Sequence, residues 1–276
     1  MRLLFIGDIV GRPGRDLVRR HVRALTASHG AHLVIANGEN AAGGAGITRD
    51  NANEVLAAGV DVITTGNHVW DKRETVEFIG NEPRLLRPAN YPDGTPGAGS
   101  CVVAASNGVR VGVINVMGRV FLHAIDDPFR AAEREIARVT DEGAQIIFVD
   151  MHAETTSEKL ALCYYLDGKV AAVIGTHTHV QTADERILPG GTACLTDAGF
   201  TGPHDGVIGM EKEAVIARFV TGLPGRFETA SGDPRLNGAS ITIDPATGRA
   251  THIERISLSE DQLKAMTDSV TEGARA

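Results

Sequence analysis

Val170-Ala171-Ala172-Val173-Ile174-Gly175-Thr176-His177-Thr178-His179 is an apolar run that stops at a glycine and then delivers two histidines one residue apart. Along an extended chain, residues i and i+2 point to the same side, so His177 and His179 can face neighbouring cations. A lone His-x-His pair is common. Here four other short apolar runs also end in polar donors, at Gly7-Asp8, Gly38-Glu39-Asn40, Gly66-Asn67-His68 and Met151-His152. In open α/β sheets the loops beyond the carboxyl ends of the strands converge on one crevice, which makes this series a candidate metal centre.

Working outward, the spacing between these runs turns helical. Leu17, Val18, Val22 and Leu25 recur at helical intervals after Gly11-Arg12-Pro13 and stop near Gly30. Thr48 can cap a second helix that passes through Val55 and Leu56 to Gly59. Strands alternating with helices predict a parallel sheet covered on both faces, with right-handed crossovers. Residues 100–105 and 109–116 flank Asn107-Gly108 and predict a hairpin, so antiparallel strands join and the pairing becomes mixed. Asp127-Pro128 opens a helix carrying Ala132, Ile136 and Val139, and residues 157–166 read as another. A further hairpin is expected from residues 240–243 and 251–256 across Pro245-Ala246-Thr247-Gly248. Without repeats or a low-complexity linker, residues 1–276 read as a single α/β domain, with about 259–276 as a loose, polar C-terminal tail.

The bulk properties narrow the function. A chain of 276 residues, 42% hydrophobic and 22% charged, can bury a full core and does not have the composition of a disordered protein. Its formal net charge of −8 offers no basic surplus to displace counterions, which argues against duplex nucleic acid as a partner. The apolar start is too short for a signal peptide and no run approaches ~18 apolar residues, so a cytoplasmic protein without a membrane span is expected. Cys101, Cys163 and Cys194 are far apart and odd in number, which suits reduced thiols rather than a disulfide framework or a thiolate zinc site.

The donors available are Asp8, Glu39, Asn40, Asn67, His152, His177 and His179. Oxygen and imidazole together suit iron, manganese or zinc. Seven side chains exceed what one tetrahedral zinc takes, so two ions are expected, with Glu39 able to bridge them. Such a pair, about 3.5–4 Å apart, can generate a hydroxide from water and clamp the oxygens of a phosphorus centre. Two carboxylates, Asp8 and Glu39, offset only part of that charge, so the pocket would attract a phosphate anion. His68 stands out of step with Asn67 and could protonate a leaving alkoxide, an effect of ~10²–10⁴-fold. Glu154 and Asp197 are candidates to orient ligating histidines. Arg12 and Arg15 read as helix-surface residues, and His21, His29, His32, His123, His204 and His252 as surface or packing residues. Gly43-Gly44-Ala45-Gly46 is a turn region without the Gly-Lys-Ser/Thr ending of a phosphate loop.

Together these motifs resemble those of the calcineurin-like metallophosphoesterases, through Gly7-Asp8, Gly38-Glu39, Gly66-Asn67-His68, His152 and Gly175-Thr176-His177-Thr178-His179. Three positions depart from that pattern: Val10 stands where a histidine ligand is usual, Glu39 replaces the bridging Asp, and Thr176 is inserted before the histidine pair. With those departures, Gly7-Asp8-Ile9-Val10-Gly11, Asn37-Gly38-Glu39-Asn40, Gly66-Asn67-His68-Val69-Trp70-Asp71 and Thr196-Asp197-Ala198-Gly199 look like the YmdB-like phosphodiesterase branch, from Met1 to about Ser257. The resemblance implies a layered metallophosphoesterase-like fold of mixed, largely parallel sheets flanked by helices. It implies Asp8, Glu39, Asn40 and His179 around one ion, Glu39, Asn67, His152 and His177 around the other, and His68 as proton donor. Asn40 would stand in for the absent histidine. Iron or manganese, small cyclic nucleotides as substrates, particularly 2′,3′-cyclic nucleoside monophosphates, and a homo-oligomeric habit follow from the same likeness. Two other readings stay open: a phosphomonoesterase or phosphoprotein phosphatase using the same ions, and a regulatory scaffold in which the metal centre is structural.

Overall fold

The computed structural model describes residues 1–273. An opening block alternates strand and helix: β1 (Arg2–Ile6), β2 (Asp8–Ile9), α1 (Gly11–His29), β3 (Leu33–Asn37), α2 (Arg49–Ala58), β4 (Val62–Thr64) and α3 (Arg73–Phe78). The expected hairpin is β5 (Ser100–Ala104) and β6 (Arg110–Met117), followed by α4 (Pro128–Asp141), β7 (Ile146–His152), α5 (Thr156–Tyr165) and β8 (Ala172–Thr176). Then come β9 (Arg186–Ile187), β10 (Ala193–Leu195), β11 (Phe200–Asp205) and α6 (Lys212–Thr221). The second hairpin, β12 (Gly232–Asp244) and β13 (Arg249–Ser259), leads directly into α7 (Glu260–Gly273).

Local chemistry explains several boundaries. Gly30, at φ 57, ends α1 in the left-handed region, which glycine occupies without a Cβ penalty. Thr48 accepts the Asn51 N–H at 3.2 Å to start α2. Asp127 accepts from Phe129 and Arg130 at the start of α4, where Pro128 fills a position that needs no donor.

The strands form two mixed sheets rather than one. In the first the order is β2-β11-β12-β1-β3-β4, with β13 added on β12; β1, β3 and β4 are parallel and β12 runs against β1. In the second the order is β5-β6-β7-β8-β10-β9, parallel from β6 to β10 with an antiparallel strand at each edge. Alternation along each strand then sorts side chains into layers. Leu3, Phe5, Leu33 and Ile35 of the first sheet face Val113, Ile146, Phe148 and Ile174 of the second. Phe5 and Phe148 meet there, their ring centroids 5.1 Å apart. Their neighbours Leu4, Ile6 and Val34 point outward onto Leu17, Val18 and Val22 of α1, while Val149, Met151 and Val173 point onto Ala132, Val139 and Leu162 of α4 and α5. Helix, sheet, sheet and helix are thus stacked, each seam closed by buried side chains worth ~1.5–3 kcal/mol apiece relative to exposure.

Two expectations need correction. The polar stretch from 259 onward is not loose through residue 273 but is helix α7, and residues 274–276 lie outside the described part. Leu263 and Met266, a helical interval apart, pack it on the α1 cluster, and Thr267 Oγ1 lies 2.9 Å from His21 Nδ1. Residues 180–231, for which no element is expected, contain β9, β10, β11 and α6; the first two strands are too short to show any period. Among the described residues no helix is long and apolar enough to cross a membrane.

Candidate metal centre

All five motifs meet where the carboxyl ends of both sheets come together. Asp8 lies in β2, Glu39 and Asn40 follow β3, Asn67 follows β4, His152 is the last residue of β7, and His177 and His179 follow β8. The side chains fall into two groups, Glu39 with His152 and His177, and Asp8 with Glu39 and His179; within each group the candidate ligand atoms lie within 4.8 Å of one another. Glu39 belongs to both. Asn67 Oδ1 is 2.9 Å from His152 Nε2, beside the first group, and the Asn40 amide is 3.0 Å from His179 Nε2, beside the second. The structure therefore brings together all seven donors singled out in the sequence.

The spacing argument for the histidine pair is corrected in detail. The extended chain ends at Thr176, and both histidines have positive φ, 98° at His177 and 63° at His179. They are presented by a turn, not by strand alternation, and non-glycine residues hold that conformation only when their surroundings enforce it. Asp197 supplies the hold: Oδ2 accepts the Thr178 N–H at 3.1 Å, the Thr178 hydroxyl at 2.6 Å and Lys159 Nζ at 2.7 Å, while Oδ1 accepts the Gly199 N–H at 2.8 Å. Lys159 and Asp197 are both buried. Asp197 thus fixes the residue between the histidines and touches neither ring.

Other side chains set the ring orientations. His152 Nδ1 donates to Thr176 Oγ1 at 2.9 Å, and the Thr176 hydroxyl donates to Asp150 Oδ1 at 2.7 Å. Asn37 and Thr64 also donate to Asp150, at 3.0 and 2.5 Å, tying β3 and β4 of one sheet to β7 of the other. His179 Nδ1 donates to the Ile208 carbonyl at 3.0 Å. In both histidines Nε2 is left for the site. His177 is braced instead by Glu154, whose Oε2 lies 2.9 Å from Nε2. Gly66 is required for room, since a Cβ there would overlap the His152 ring and the Glu39 carboxylate.

Electrostatics test whether cations fit. Asp8 Oδ1 is buried without a hydrogen-bond partner, and Oδ2 receives only the His177 N–H at 3.3 Å. Burial pushes the Asp8 carboxyl well above the ordinary range against the pull of His152. Burial also acts upward on Glu39, but His152 beside it brings that carboxyl down to about 2. Burial disfavours a proton on His152, yet Glu39 at 3.2 Å holds its value above the usual one. Burial, with His152 nearby, takes His177 down to about 3, and burial lowers His179. An orphaned Asp8 oxygen in a pocket where burial disfavours the proton on His177 and His179 is costly alone and suited to a cation. The oxygen and nitrogen donor set fits iron, manganese or zinc.

The remaining candidates sort cleanly. His68 is half-exposed, belongs to neither group and lines the cleft above them, with Nδ1 2.8 Å from Asp71 Oδ2. Arg15 is tied to Glu54 at 2.7 Å and Arg12 lies open on the surface. His204 stacks on Phe200, which stacks on His179, so it buttresses the site from outside. Asn37, Asp71 and Thr176 stand inside the motifs without a role assigned there, and Thr64, Asp150 and Lys159 lie outside them; all six are supporting residues. Asp150 had a signal: it is a charge inside the buried run Ile146-Ile147-Phe148-Val149-Asp150-Met151.

Comparison with known proteins finds relatives over nearly the whole chain. Residues 4–256 match the model of the YmdB-like protein family. A 2′,3′-cyclic-nucleotide 2′-phosphodiesterase of Bacillus subtilis (strain 168) is 52% identical over 263 residues, covering 95% of this chain and 99% of the relative. The crystal structure of a hypothetical protein from Thermus thermophilus superimposes with a TM-score of 0.86 at 42% identity, over 94% of this chain and 100% of the other. A novel phosphatase of Mycoplasma pneumoniae superimposes with a TM-score of 0.87 at 33% identity, over 96% of each chain.

Proposed function

The chain belongs to the YmdB-like protein family, and from that premise we propose that it is a dimetal phosphodiesterase that hydrolyses 2′,3′-cyclic nucleoside monophosphates. One observation carries the proposal: Glu39 is shared by two donor groups at the floor of a single cleft. Asp8, Glu39, Asn40 and His179 are assigned to one ion, and Glu39, Asn67, His152 and His177 to the other. Two divalent ions bound there supply Lewis acidity, lowering the pKa of water toward ~7 and offsetting charge on the phosphoryl oxygens. Iron or manganese is the proposed pair, supported by oxygen and imidazole donors without a thiolate. A cytoplasmic setting, which suits the free thiols of Cys101, Cys163 and Cys194, belongs to the same proposal.

The protein's own groups divide the remaining work. Asn67 Oδ1, and Asn40 Oδ1 once its amide is turned over to bring the oxygen where Nδ2 now faces Glu39 and His179, would add donors without adding negative charge, so only Asp8 and Glu39 among the assigned residues oppose an incoming phosphate. Asp71 fixes His68 Nδ1 as its hydrogen-bond donor, which leaves Nε2 as the atom assigned to protonate the leaving alkoxide. Because His68 lines the cleft outside both donor groups, it is free to meet the departing oxygen.

Protein loaded with manganese or iron should convert 2′,3′-cyclic AMP to an adenosine monophosphate, read by chromatography; no turnover with either ion would overturn the proposal. His68→Ala should lower kcat by ~10²–10⁴-fold while metal content is retained, and parallel loss of metal would show His68 to be a ligand instead. The relative described as a phosphatase favours a monoesterase as the second reading. Rates on bis- and mono-(nitrophenyl) phosphate separate the two, and the diester should be preferred.

A further inference from the structure

The cleft above the donor groups, about 300 Å³, is lined by two unlike sets of residues. One is the polar set Glu39, Asn40, His68, His177 and His179; the other is apolar, Ile208, Met210 and Phe227, beside the backbone of Gly43-Gly44-Ala45. Ile208 is 50% exposed, and Met210 and Phe227 are only half-buried, so apolar surface is left open beside a polar floor. Apolar area retained at the mouth of a site calls for a ligand that covers it.

This wall is held in place by specific contacts. The carbonyl of Ile208, a β-branched residue at φ 46, takes the hydrogen bond from His179 Nδ1, so the wall and the floor are joined through one residue. Met210 pairs with Val207 and Thr229, and its methyl lies so close to Gly44 that a Cβ there would overlap it. From α6, the Arg218 guanidinium lies 5.3 Å over the Phe227 ring, covering part of it and leaving the remainder to the cleft.

We infer that Ile208, Met210 and Phe227 form the seat of the nucleobase, with Phe227 as the ring it stacks on. The inference rests on the phosphodiesterase reading above, which places the phosphorus end of the substrate on the polar floor. What then projects from the floor is a ribose and a flat, largely apolar base. Every base has a π-face that an aromatic side chain can take, and a methionine adapts to different outlines. None of the three wall side chains carries a group that could read the hydrogen-bonding edge of a base. The subsite therefore takes purines and pyrimidines alike, and selection falls on the phosphodiester.

Calorimetric titration of manganese-loaded protein with 3′-AMP, 3′-UMP and inorganic phosphate tests this. The wild type should bind both nucleotides more tightly than phosphate, Phe227→Ala should lose roughly tenfold in affinity for both nucleotides but not for phosphate, and Phe227→Tyr should restore it. Unchanged nucleotide affinity in Phe227→Ala, equal weakening of all three probes, or failure of Phe227→Tyr to restore binding overturns the subsite. Should the wild type bind 3′-AMP through Phe227 and still hydrolyse no cyclic nucleotide, the subsite stands and the phosphodiesterase reading falls. Turnover with an affinity indifferent to Phe227 gives the reverse.

Discussion

The Thr176 hydroxyl lies between a buried carboxylate and a ring that faces the donor cluster, accepting from His152 and donating to Asp150. Thr176→Val keeps the outline and removes both hydrogen bonds, which frees the His152 ring and leaves Asp150 one donor short. Retained metal, measured by competition with a chelator, should fall by about 10–100-fold in affinity, with Thr176→Ser close to wild type. Equal affinity in Thr176→Val would show that the ring needs no such hold. At this scale the sequence speaks unevenly. The seven donors are legible because each combines an unusual residue type with a position where an apolar run ends. Thr176 is visible only as an insertion before a histidine pair, and threonine is so ordinary in strands that its polar role cannot be separated from β propensity. Lys159 is more opaque still, because a lysine on a helix normally reads as a solvated surface residue, whereas this one is buried against Asp197.

Among the elements, α7 has a seam with α1 that should respond to pH. His21 is buried in that seam beside Thr267, and its Nε2 has no partner. Burial lowers its pKa, helped by Arg20 and Lys264 and opposed by Glu260 and Asp268. The unfolded ring gains its proton near pH ~6.5, while the folded ring resists it. Below that pH the unfolded state binds more protons, so the contribution of His21 is full above about pH 6.5 and declines as the pH falls toward the folded-state pKa. Melting temperatures at pH 7.5 and 5.5 should therefore drop more for the wild type than for His21→Leu; equal drops would dismiss the seam as a pH-sensitive element. The helix itself is readable in Leu263 and Met266 but is masked by the polar residues around them. By contrast, α1 and α4 announce themselves through long apolar periods and through Gly30, Asp127 and Pro128 at their ends.

Across the whole molecule, strands alternating with helices predict parallel pairing that hairpins make mixed, and both sheets are mixed, with β1, β3 and β4 parallel in the first and β6, β7, β8 and β10 parallel in the second. The division into two sheets is harder to read. Strands covered on both faces are apolar at nearly every position, so nothing local says whether Phe148 faces a helix or Phe5. The order within each sheet also depends on distant partners, such as β12 beside β1, that no window of sequence contains. The donor cluster straddles this division. Glu39 comes from the first sheet and His152 and His177 from the second; Asp8 and Glu39 from the first and His179 from the second. A cation seated in either group is therefore a clasp across two halves of the molecule, added to the apolar seam and the hydrogen bonds to Asp150. Chelation should lower the melting temperature, and restoring metal at a thousandfold excess over its Kd should return about 4 kcal/mol of stability for each ion bound. An unchanged melting curve would mean that the halves grip each other without the clasp. The same ions that prepare the cleft for chemistry would then also set how firmly its two sides are held together.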